Sequence, residues 1–202
     1  MIMKKLSITL ACLMASLPIE AAFGQVSSRS DVVGALTSGK GGQWGTWTTA
    51  QYCPPGSWAY SFGQKVESFQ GPGDDTALNS IALYCSDRYG NPVGNYVTPH
   101  TGYWGSWAYN SCSRGAHMTL FMLQVEGGHP GDDTSANAVS FWCSNNIRIH
   151  ASNAGPWGSW GPWRGGFITN AAICGLREKI ESPQGAGDDT ALNDVEFIWC
   201  RR

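Results

Sequence analysis

The tetrapeptide Gly-Asp-Asp-Thr occurs three times in this 202-residue chain, at residues 73–76, 131–134 and 187–190. Successive copies are separated by 58 and 56 residues. A fixed period of this length is typical of a supersecondary unit that buries its apolar face against neighbouring copies of itself. The chain is therefore predicted to contain three copies of one module.

Other features recur in register with this motif. A Trp-Gly-x-Trp sequence opens each copy, at residues 44–47, 104–107 and 157–160, and a Val-Glu or Ile-Glu pair precedes each acidic motif, at residues 66–67, 125–126 and 180–181. Two cysteines also flank each acidic motif. Because chance does not produce agreement at several offsets, we predict three repeats, over about 42–98, 99–152 and 153–202.

The first residues indicate a targeting signal rather than part of the fold. Lys4 and Lys5 precede an apolar run over residues 6–17, and small residues around Ala22 and Gly24 fit a cleavage site. This pattern predicts a secretory signal peptide over residues 1–24, because the apolar run is too short to cross a membrane. We expect cleavage after Gly24, a loose polar segment over 25–41, and a secreted, extracellular protein.

Composition narrows the function classes. The formal net charge is −2, and the chain lacks the basic excess that nucleic-acid binding requires. Charged residues make up only 14% of the chain, whereas 26 glycines and 10 tryptophans suggest short strands joined by tight turns. We expect one monomeric domain with no nucleic-acid partner, no further membrane span and no cofactor.

The six cysteines that follow the predicted signal peptide indicate a disulfide framework, as expected for a secreted protein. If each repeat contains one bridge, the pairs are Cys53–Cys85, Cys112–Cys143 and Cys174–Cys200. Closing a loop of about 32 residues stabilises a fold by roughly 3.5–4 kcal/mol in the chain-entropy model. A zinc site is not favoured, because the sequence contains no Cys-x-x-Cys pair.

Short apolar runs between turn residues predict an all-β fold. Residues 120–125 and 139–142 are two such runs, and Ile81, Leu83 and Cys85 alternate with residues of the opposite face. No stretch shows the 3.6-residue period of an amphipathic helix. Fifty-odd residues suffice for a four-stranded Greek-key sheet, and three such sheets can close around a shared axis.

The combined pattern resembles the vitelline membrane outer layer protein 1 family. The shared features are the Trp-Gly-x-Trp motif, a cysteine, the sequence Val-Glu-Ser-x-Gln-Gly-x-Gly-Asp-Asp-Thr-Ala-Leu-Asn at 66–79, and an apolar strand ending in cysteine. The resemblance covers about 42–201, and residues 173–176 and 185–193 are especially similar. It implies a β-prism: three Greek-key sheets around a pseudo-threefold axis with an apolar interior.

The third copy departs from the other two. Cys174 lies only 14 residues before the first aspartate of its motif, whereas the corresponding spacings in the other copies are 21 and 20. The third bridge is therefore not expected to be equivalent to the first two. The resemblance implies a second bridge in this copy, at positions occupied here by Ala171 and Trp199, and its loss is expected to cost a few kcal/mol.

The motif aspartates are the first candidates for chemistry. Three hypotheses apply to them: a structural turn, which we favour because it is needed in every copy; a glycoside-cleaving or glycoside-transferring carboxylate pair; and calcium binding. The resemblance implies weak transfer activity on N-acetylglucosamine oligomers, which supports the second. The candidate glycan-binding acids are Asp74, Asp75, Asp132, Asp133, Asp188 and Asp189.

Tryptophans are the second group of candidates. We predict that the six Trp-Gly-x-Trp tryptophans pack the threefold core, because buried aromatic rings dominate such cores; a ring of sugar-stacking platforms is the alternative. Trp58 and Trp163 do not recur in register, so they are the better candidates for a glycan-binding surface platform. No Ser-His-Asp or Cys-His arrangement is found.

These observations predict a secreted structural or interaction protein of an extracellular coat or secretion, which associates with glycans or glycoproteins. The first alternative is a lectin-like carbohydrate-binding module that uses loops at one end of the prism. The second is a weak transferase or hydrolase of N-acetylglucosamine oligosaccharides.

Overall fold

A computed structural model of the chain describes residues 26–69, 76–127, 135–166, 169–184 and 190–202. Among these residues there are thirteen β-strands and no helix. The strands form three antiparallel sheets, so the all-β prediction is confirmed.

Each sheet is built on one long antiparallel hairpin whose strands alternate between core-facing and outward-facing side chains. The hairpins are β4 (Trp58–Val66) with β5 (Leu78–Ser86), β7 (Met118–Val125) with β8 (Ala136–Cys143), and β12 (Ala171–Ile180) with β13 (Leu192–Arg201). The acidic motif of each copy joins the two strands of its hairpin.

Shorter strands flank the hairpins. The first sheet adds β6 (Ser106–Ser111), the second adds β9 (Arg148–His150), β10 (Ser159–Trp160) and β11 (Arg164–Gly165), and the third adds β1 (Val32–Thr37), β2 (Thr46–Trp47) and β3 (Gln51–Tyr52).

The sheets contain three, five and five strands, whereas the sequence predicts four in each. The difference arises because outer strands are interrupted: β2 and β3 lie end to end along β12, and β10 and β11 lie end to end along β7. In the first sheet the fourth row is reduced to bridges from Val97 and Pro92 to β5. Each sheet therefore has four rows, as a β-prism requires.

The strands of one sheet come from two sequence copies. The Trp-Gly-x-Trp segment of the second copy pairs with β4 of the first, and that of the third copy pairs with β7 of the second. The segment of the first copy pairs with β12 of the third, where Trp47 lies opposite Lys179. This exchange closes the three sheets into a ring.

The prediction that residues 25–41 form a loose segment is wrong for the part the structure describes. Strand β1 pairs with β13 from Val32 opposite Cys200 to Thr37 opposite Glu196. The reason is that each of the three sheets in the ring has four rows of strands. In the first two sheets, the chain that follows the hairpin supplies the fourth row, whereas in the third sheet the N-terminal segment supplies it by pairing with β13.

Phenylalanines of the central hairpins fill the interior. The rings of Phe62, Phe141, Phe197 and Phe121 are fully buried, with centroids 4.6–5.2 Å apart along the series. The prediction that the Trp-Gly-x-Trp tryptophans pack the core is wrong. All six are half-buried or exposed, and Trp44 is 55% exposed.

The Trp-Gly-x-Trp motif recurs for a different reason. Its glycine has a positive φ in every copy and lies directly on the backbone of the hairpin that its segment completes. At Gly105, for example, φ is +91° and an added Cβ would overlap the carbonyl group of Val66. The motif is thus a tight turn that permits close backbone approach at the edge of each sheet.

All three predicted disulfides are present, with Cα–Cα distances of 5.8, 5.8 and 5.6 Å. The first two join different sheets, because Cys53 follows β3 of the third sheet and Cys112 follows β6 of the first, whereas their partners lie in β5 and β8. The third joins β12 to β13 within one sheet. It is therefore not equivalent to the others, as predicted.

A tryptophan lies at the third boundary between sheets. Trp199 occupies a position that the family resemblance assigns to a cysteine, and its indole N–H donates to the Thr119 carbonyl of β7 at 2.9 Å. Its ring covers Gly165, where an added Cβ would lie 2.6 Å from the indole. The side chain is 2% exposed. A buried indole thus joins the second and third sheets without a covalent bond.

Candidate functional site

The six motif aspartates Asp74, Asp75, Asp132, Asp133, Asp188 and Asp189 lie outside the described residues. The turn, glycoside and calcium hypotheses for them therefore stay predictions. Among the residues that are described, no group of three or more His, Cys, Asp or Glu side chains could hold a metal ion.

The residues beside the motifs form repeated hydrogen bonds. The Thr76 hydroxyl donates to the Glu67 carboxylate at 2.7 Å, and the Thr190 hydroxyl donates to Glu181 at 2.6 Å. The Glu67 and Glu181 backbone N–H groups each donate at 2.8 Å to the residue after that threonine. These carboxylates hold the ends of the hairpins together.

An asparagine three residues after the motif threonine extends this network. Asn79 donates to Thr76 at 2.6 Å and accepts from the Trp104 backbone N–H at 3.1 Å. Asn137 likewise accepts from the Trp157 N–H at 3.3 Å. The end of each of these two hairpins is thereby tied to the next tryptophan motif, a structural role for the residues around the acids.

Of the two predicted surface tryptophans, Trp58 is not on the surface. Its side chain is 4% exposed, packs with the Cys174–Cys200 bridge, and donates from Nε1 to the Arg201 carbonyl at 3.2 Å. The prediction that Trp58 forms a glycan platform is therefore wrong. Trp58 is the first residue of β4, and it is buried where the first sheet packs against the third.

Trp163 lies in an aromatic cluster on the outer face of the second sheet. Its ring centroid is 5.8 Å from that of Trp142, and the guanidinium carbon of Arg148 lies 5.5 Å from the Trp163 centroid and 5.8 Å from that of Trp160. Trp160 is 37% exposed and Trp163 is half-buried. One cation is therefore flanked by two partly exposed indoles.

The register of the sheet places these side chains together. Arg148 of β9 lies directly opposite Trp142 of β8, and its Nε donates to the Ser140 hydroxyl at 3.0 Å. Along β8 the outward positions beside Trp142 are small, namely Ser140 and Ala138, and both are buried beneath the larger side chains. These small residues leave a space that is bordered by Trp160 and Arg148.

That space is a recess of about 350 Å³, which we call the tryptophan–arginine hollow. It is lined by Ala138, Val139, Arg148, His150, Ala151, Ala154 and Trp160. Its volume lies at the lower end of the range of about 300–1,000 Å³ that is usual for small-ligand sites. Trp163 does not line the recess itself but lies beside it, in contact with Arg148.

A second, larger recess of about 570 Å³ lies between the third and first sheets, and Tyr52, Tyr96 and His100 are part of its lining. Burial lowers the pKa of His100, and the positive charge of Lys65 lowers it further. The side chains that line this recess are neutral at pH 7. None of the predicted site residues contributes to it.

Sequence reasoning found Trp163, gave Trp160 a platform role only as the alternative to core packing, and missed Trp142 and Arg148. A usable signal was present. Trp142 ends an apolar run, and Ser144, Asn145 and Asn146 form a turn signal that predicts a hairpin. A hairpin around that turn places Arg148 beside Trp142, as the structure shows.

Comparison with known proteins gives the family. The sequence profile of the family "Vitelline membrane outer layer protein I (VOMI)" matches residues 34–202. The human vitelline membrane outer layer protein 1 homolog is 41% identical over 182 residues, covering 88% of each chain. The mouse homolog is 40% identical over 163 residues, covering 79% of this chain and 80% of the relative.

Solved structures of similar shape are jacalin-related lectins. A mannose-binding jacalin-related lectin from Ananas comosus aligns with a TM-score of 0.54 at 8% identity, over 86% of this chain and all of the lectin. Artocarpin, solved with mannopentose, aligns with a TM-score of 0.51 at 10% identity, over 85% and 98% of the two chains. At these identities the likeness shows the shared β-prism fold.

In the part of the chain that the structure describes, no helix has the length and apolarity needed to cross a membrane. The repeated motifs, the ring of three sheets and the sequence identity to the human and mouse relatives all indicate the same family. The chain belongs to the vitelline membrane outer layer protein I family.

Proposed function

We propose that this protein is a secreted structural protein of an extracellular coat or secretion, and that it attaches to glycans through the tryptophan–arginine hollow. The observation that carries this proposal is the placement of Trp160 and Trp163 on either side of Arg148, beside a recess with a small-residue floor. Trp58, the other tryptophan that breaks the repeat, is buried.

The chemistry of the hollow suits a sugar ring. Indole rings combine a large apolar face with a polar edge, and the C–H face of a pyranose stacks on such a surface while its hydroxyls stay hydrated. Arg148 and His150 supply hydrogen-bond donors at the border of the recess. A few polar groups around an apolar floor are the usual composition of a small-ligand site.

The frame around the hollow suits a structural role. Two disulfides and the Trp199 indole join the three sheets, so that every boundary between neighbouring sheets is held. Bridges of this kind typically stabilise a fold by about 2–4 kcal/mol each. Disulfide-stabilised proteins of this size are typical of oxidising extracellular environments, which supports the proposed location.

The fold comparison supplies a ligand class to test. The Ananas comosus lectin is described as mannose-binding, and artocarpin was solved with a mannose oligomer. Carbohydrate binding on a β-prism is thus a property of those proteins, and the proposal extends the ligand class, but not the location of their sites, to this chain.

The proposal is tested with a glycan array probed with the oxidised protein, including mannose and chito-oligosaccharides. We expect saturable binding that Trp160→Ala and Trp163→Ala each weaken at least about fivefold, because stacked aromatic anchors carry most of the affinity of such sites. Tyr89→Ala is the matched control, since Tyr89 is 72% exposed in the turn that follows β5 and lies away from the hollow. Binding that is unchanged in both tryptophan variants would refute the proposed site.

The same experiment separates the enzymatic alternative. Bound oligosaccharides are incubated with the protein, and their chain lengths are measured by mass spectrometry. Binding without new chain lengths supports the structural role. New chain lengths that disappear when Asp74, Asp132 and Asp188 are changed to Asn, with the fold retained, would establish the glycan-transferring alternative instead.

A further inference from the structure

We propose that the tryptophan–arginine hollow prefers saccharides that carry an anionic group, a carboxylate or a sulfate, and that Arg148 binds that group. This inference rests on the proposed glycan-binding function and specifies its ligand class. It is carried by the charge distribution of the second sheet and by a comparison of two arginines in the same molecule.

Two arginines stack on tryptophans in this structure. The Arg177 guanidinium lies 4.8 Å from the Trp47 centroid on the third sheet, and Arg148 occupies the corresponding kind of stack on the second sheet. The Arg177 Nε also donates to the Glu196 carboxylate at 2.6 Å. In that pair, the protein itself supplies the anion.

Arg148 differs in this respect. Its Nε donates to the neutral Ser140 hydroxyl, and among the described side chains no carboxylate forms an ion pair with it. The residue is exposed at the border of the hollow, and its guanidinium carbon lies 5.8 Å from the Trp160 ring centroid and 5.5 Å from that of Trp163. A positioned guanidinium with no internal anion is suited to bind an anion from outside.

The surroundings of Arg148 are also basic. The strands of the second sheet contain Arg148 and Arg164 but neither aspartate nor glutamate. His150 lines the hollow, and the Lys40 ammonium group reaches the Ser159 hydroxyl at 3.0 Å, next to Trp160. The whole chain has a formal net charge of −2. The positive charge at the hollow is therefore a local feature of this face and not of the protein surface in general.

A saccharide oxyanion matches this arrangement. The planar guanidinium binds a carboxylate or a sulfate through two parallel hydrogen bonds, while the sugar ring that carries the anion can stack on the adjacent indole. Each contact alone is weak at an exposed site because water and salt screen it. Together, on one ring, they select an anionic sugar over its neutral counterpart.

The test uses matched saccharides that differ only in the charged group. Affinities are measured by titration calorimetry for a hyaluronan tetrasaccharide and its methyl ester, and for a methyl-esterified chondroitin sulfate tetrasaccharide and its desulfated form. We expect wild-type protein to prefer one or both anionic forms by about tenfold at low salt, as for one charge-assisted contact. The carboxylate and sulfate arms identify which anion is recognised.

Two variants assign the effect. Arg148→Gln should remove the preference for the anionic form and keep the affinity for the neutral form within about twofold, whereas Arg177→Gln should retain the preference because Glu196 already occupies that arginine. Near-ultraviolet circular dichroism verifies that both variants fold.

The outcomes distinguish this inference from the proposed function. Equal affinity for charged and neutral saccharides, with binding still lost in Trp163→Ala, would overturn the inference and leave the proposed function intact. An anionic preference that survives in Arg148→Gln would also overturn it. Anion-selective binding that needs Arg148 but not Trp160 or Trp163 would support the inference and refute the stacking site.

Discussion

At the scale of single residues, a fully buried glutamate stands out because it is an ionisable side chain in the interior. Glu178 of β12 is fully buried, and its Oε1 accepts from the Ile81 backbone N–H of the first sheet at 2.6 Å. In the first copy the corresponding residue is Gln64, whose Oε1 accepts from the Val139 N–H of the second sheet at 3.1 Å. The same inter-sheet bond is thus made once by an acid and once by an amide.

Burial decides the charge of that acid. Desolvation raises the pKa of Glu178 well above its usual value of 4.5, although hydrogen bonds from Ile81 and Ser80 act in the opposite direction. The folded protein therefore keeps a proton that the unfolded chain releases, and linkage gives the sign. The stabilisation associated with this group is complete below pH 4.5 and is lost as the pH rises toward the pKa in the folded state.

Glu178→Gln should consequently stabilise the protein at neutral pH. Glutamine keeps the acceptor for Ile81 and cannot ionise, so we expect the free energy of unfolding at pH 7 to rise by at least about 1 kcal/mol. The gain should shrink at pH 4, where Glu178 is protonated in both states. Urea unfolding at the two pH values measures the difference, and other titrating groups cancel between variant and wild type.

Gln64→Glu is the reciprocal variant. It should be destabilised at pH 7 and recover part of its stability at pH 4, because it places an ionisable group in the equivalent buried position. A Glu178→Gln protein that is less stable than wild type at pH 7 would contradict this account and indicate that the charged carboxylate is required.

At the scale of elements, the tryptophan turn is the feature that joins one repeat to the next. Its glycine combines a left-handed backbone with direct contact to a neighbouring strand, and two glycines elsewhere separate these properties. Gly115 has φ +79° and Gly56 has φ +75°, and an added Cβ at either would meet nothing within 4 Å. They provide controls with similar backbone conformation and open space.

Gly115→Ala should therefore cost about 1–2 kcal/mol for the left-handed conformation alone. Gly105→Ala should cost about 1–3 kcal/mol more, because the methyl group must displace the Val66 carbonyl or its own strand. Denaturant unfolding of both variants gives the two values. Equal losses would show that the backbone conformation, and not the close approach, explains why the motif glycine recurs.

Trp199 gives a second prediction at this scale. Its removal should open the boundary between the second and third sheets, which no disulfide spans among the three present. Trp199→Ala is expected to cost about 3–5 kcal/mol, as for a buried aromatic residue. Trp44→Ala is the matched control, because Trp44 is 55% exposed and should change stability by less than about 0.5 kcal/mol.

For Trp199, thermal unfolding by circular dichroism is the measurement. A small loss in Trp199→Ala, similar to that in Trp44→Ala, would show that the indole only occupies the place of a missing bridge. A Trp199→Phe variant, which keeps much of the ring but not the Nε1–H bond to Thr119, should lose about 1 kcal/mol of its stability through that bond.

At the same scale, the strands and the disulfides could be predicted from the sequence, whereas the position of the motif tryptophans could not. Alternation predicted the strand at β5, and the repetition of cysteine pairs predicted all three bridges, because these depend on local pattern and on repetition. The position of the tryptophans could not be predicted in this way. Recurrence shows that a residue is needed in each copy, but at Gly105 the need is for close backbone contact and not for burial of the neighbouring rings.

The candidate site shows the same limit. Trp163 was predicted because it breaks the repeat, and this reasoning also selected Trp58, which burial at the boundary between sheets removes from the surface. Which of two non-repeating tryptophans is exposed depends on contacts between sheets that are distant in sequence, such as Trp58 with Arg201. The position of Arg148 opposite Trp142 could have been predicted from the sequence, since the short turn between β8 and β9 fixes their register.

At the scale of the whole molecule, the three sheets form a ring in which the first and the last strands lie side by side. Strand β1 lies beside β13, and the Arg201 backbone N–H donates to the Asp31 carbonyl at 3.0 Å. In the second sheet the corresponding row, β9, follows β8 directly through a short turn, with the Cys143 N–H donating to Ile147 at 2.9 Å. In the third sheet β1 lies beside β13 in the same way, but it does not follow β13 in the chain.

This geometry predicts that the N-terminal strand can be moved to the other end of the chain. Removing everything before Ser38 should expose β13 as an edge strand and leave its ladder groups unpaired, so the truncated protein should lose stability and self-associate. Appending residues 30–37 after Arg202 through a two- or three-residue turn should restore the row, because β1 would then follow β13 as β9 follows β8.

Size-exclusion chromatography and thermal unfolding of the truncated and permuted proteins test this prediction. The permuted protein should be monomeric and unfold within a few degrees of the unpermuted form, since the strand and its register are unchanged and a shorter closed loop costs little entropy. An appended segment in which Val33 and Leu36, which pack against the core, are both changed to Asp should not rescue the truncation. Rescue by that control would mean that added chain length, and not pairing with β13, restores the protein.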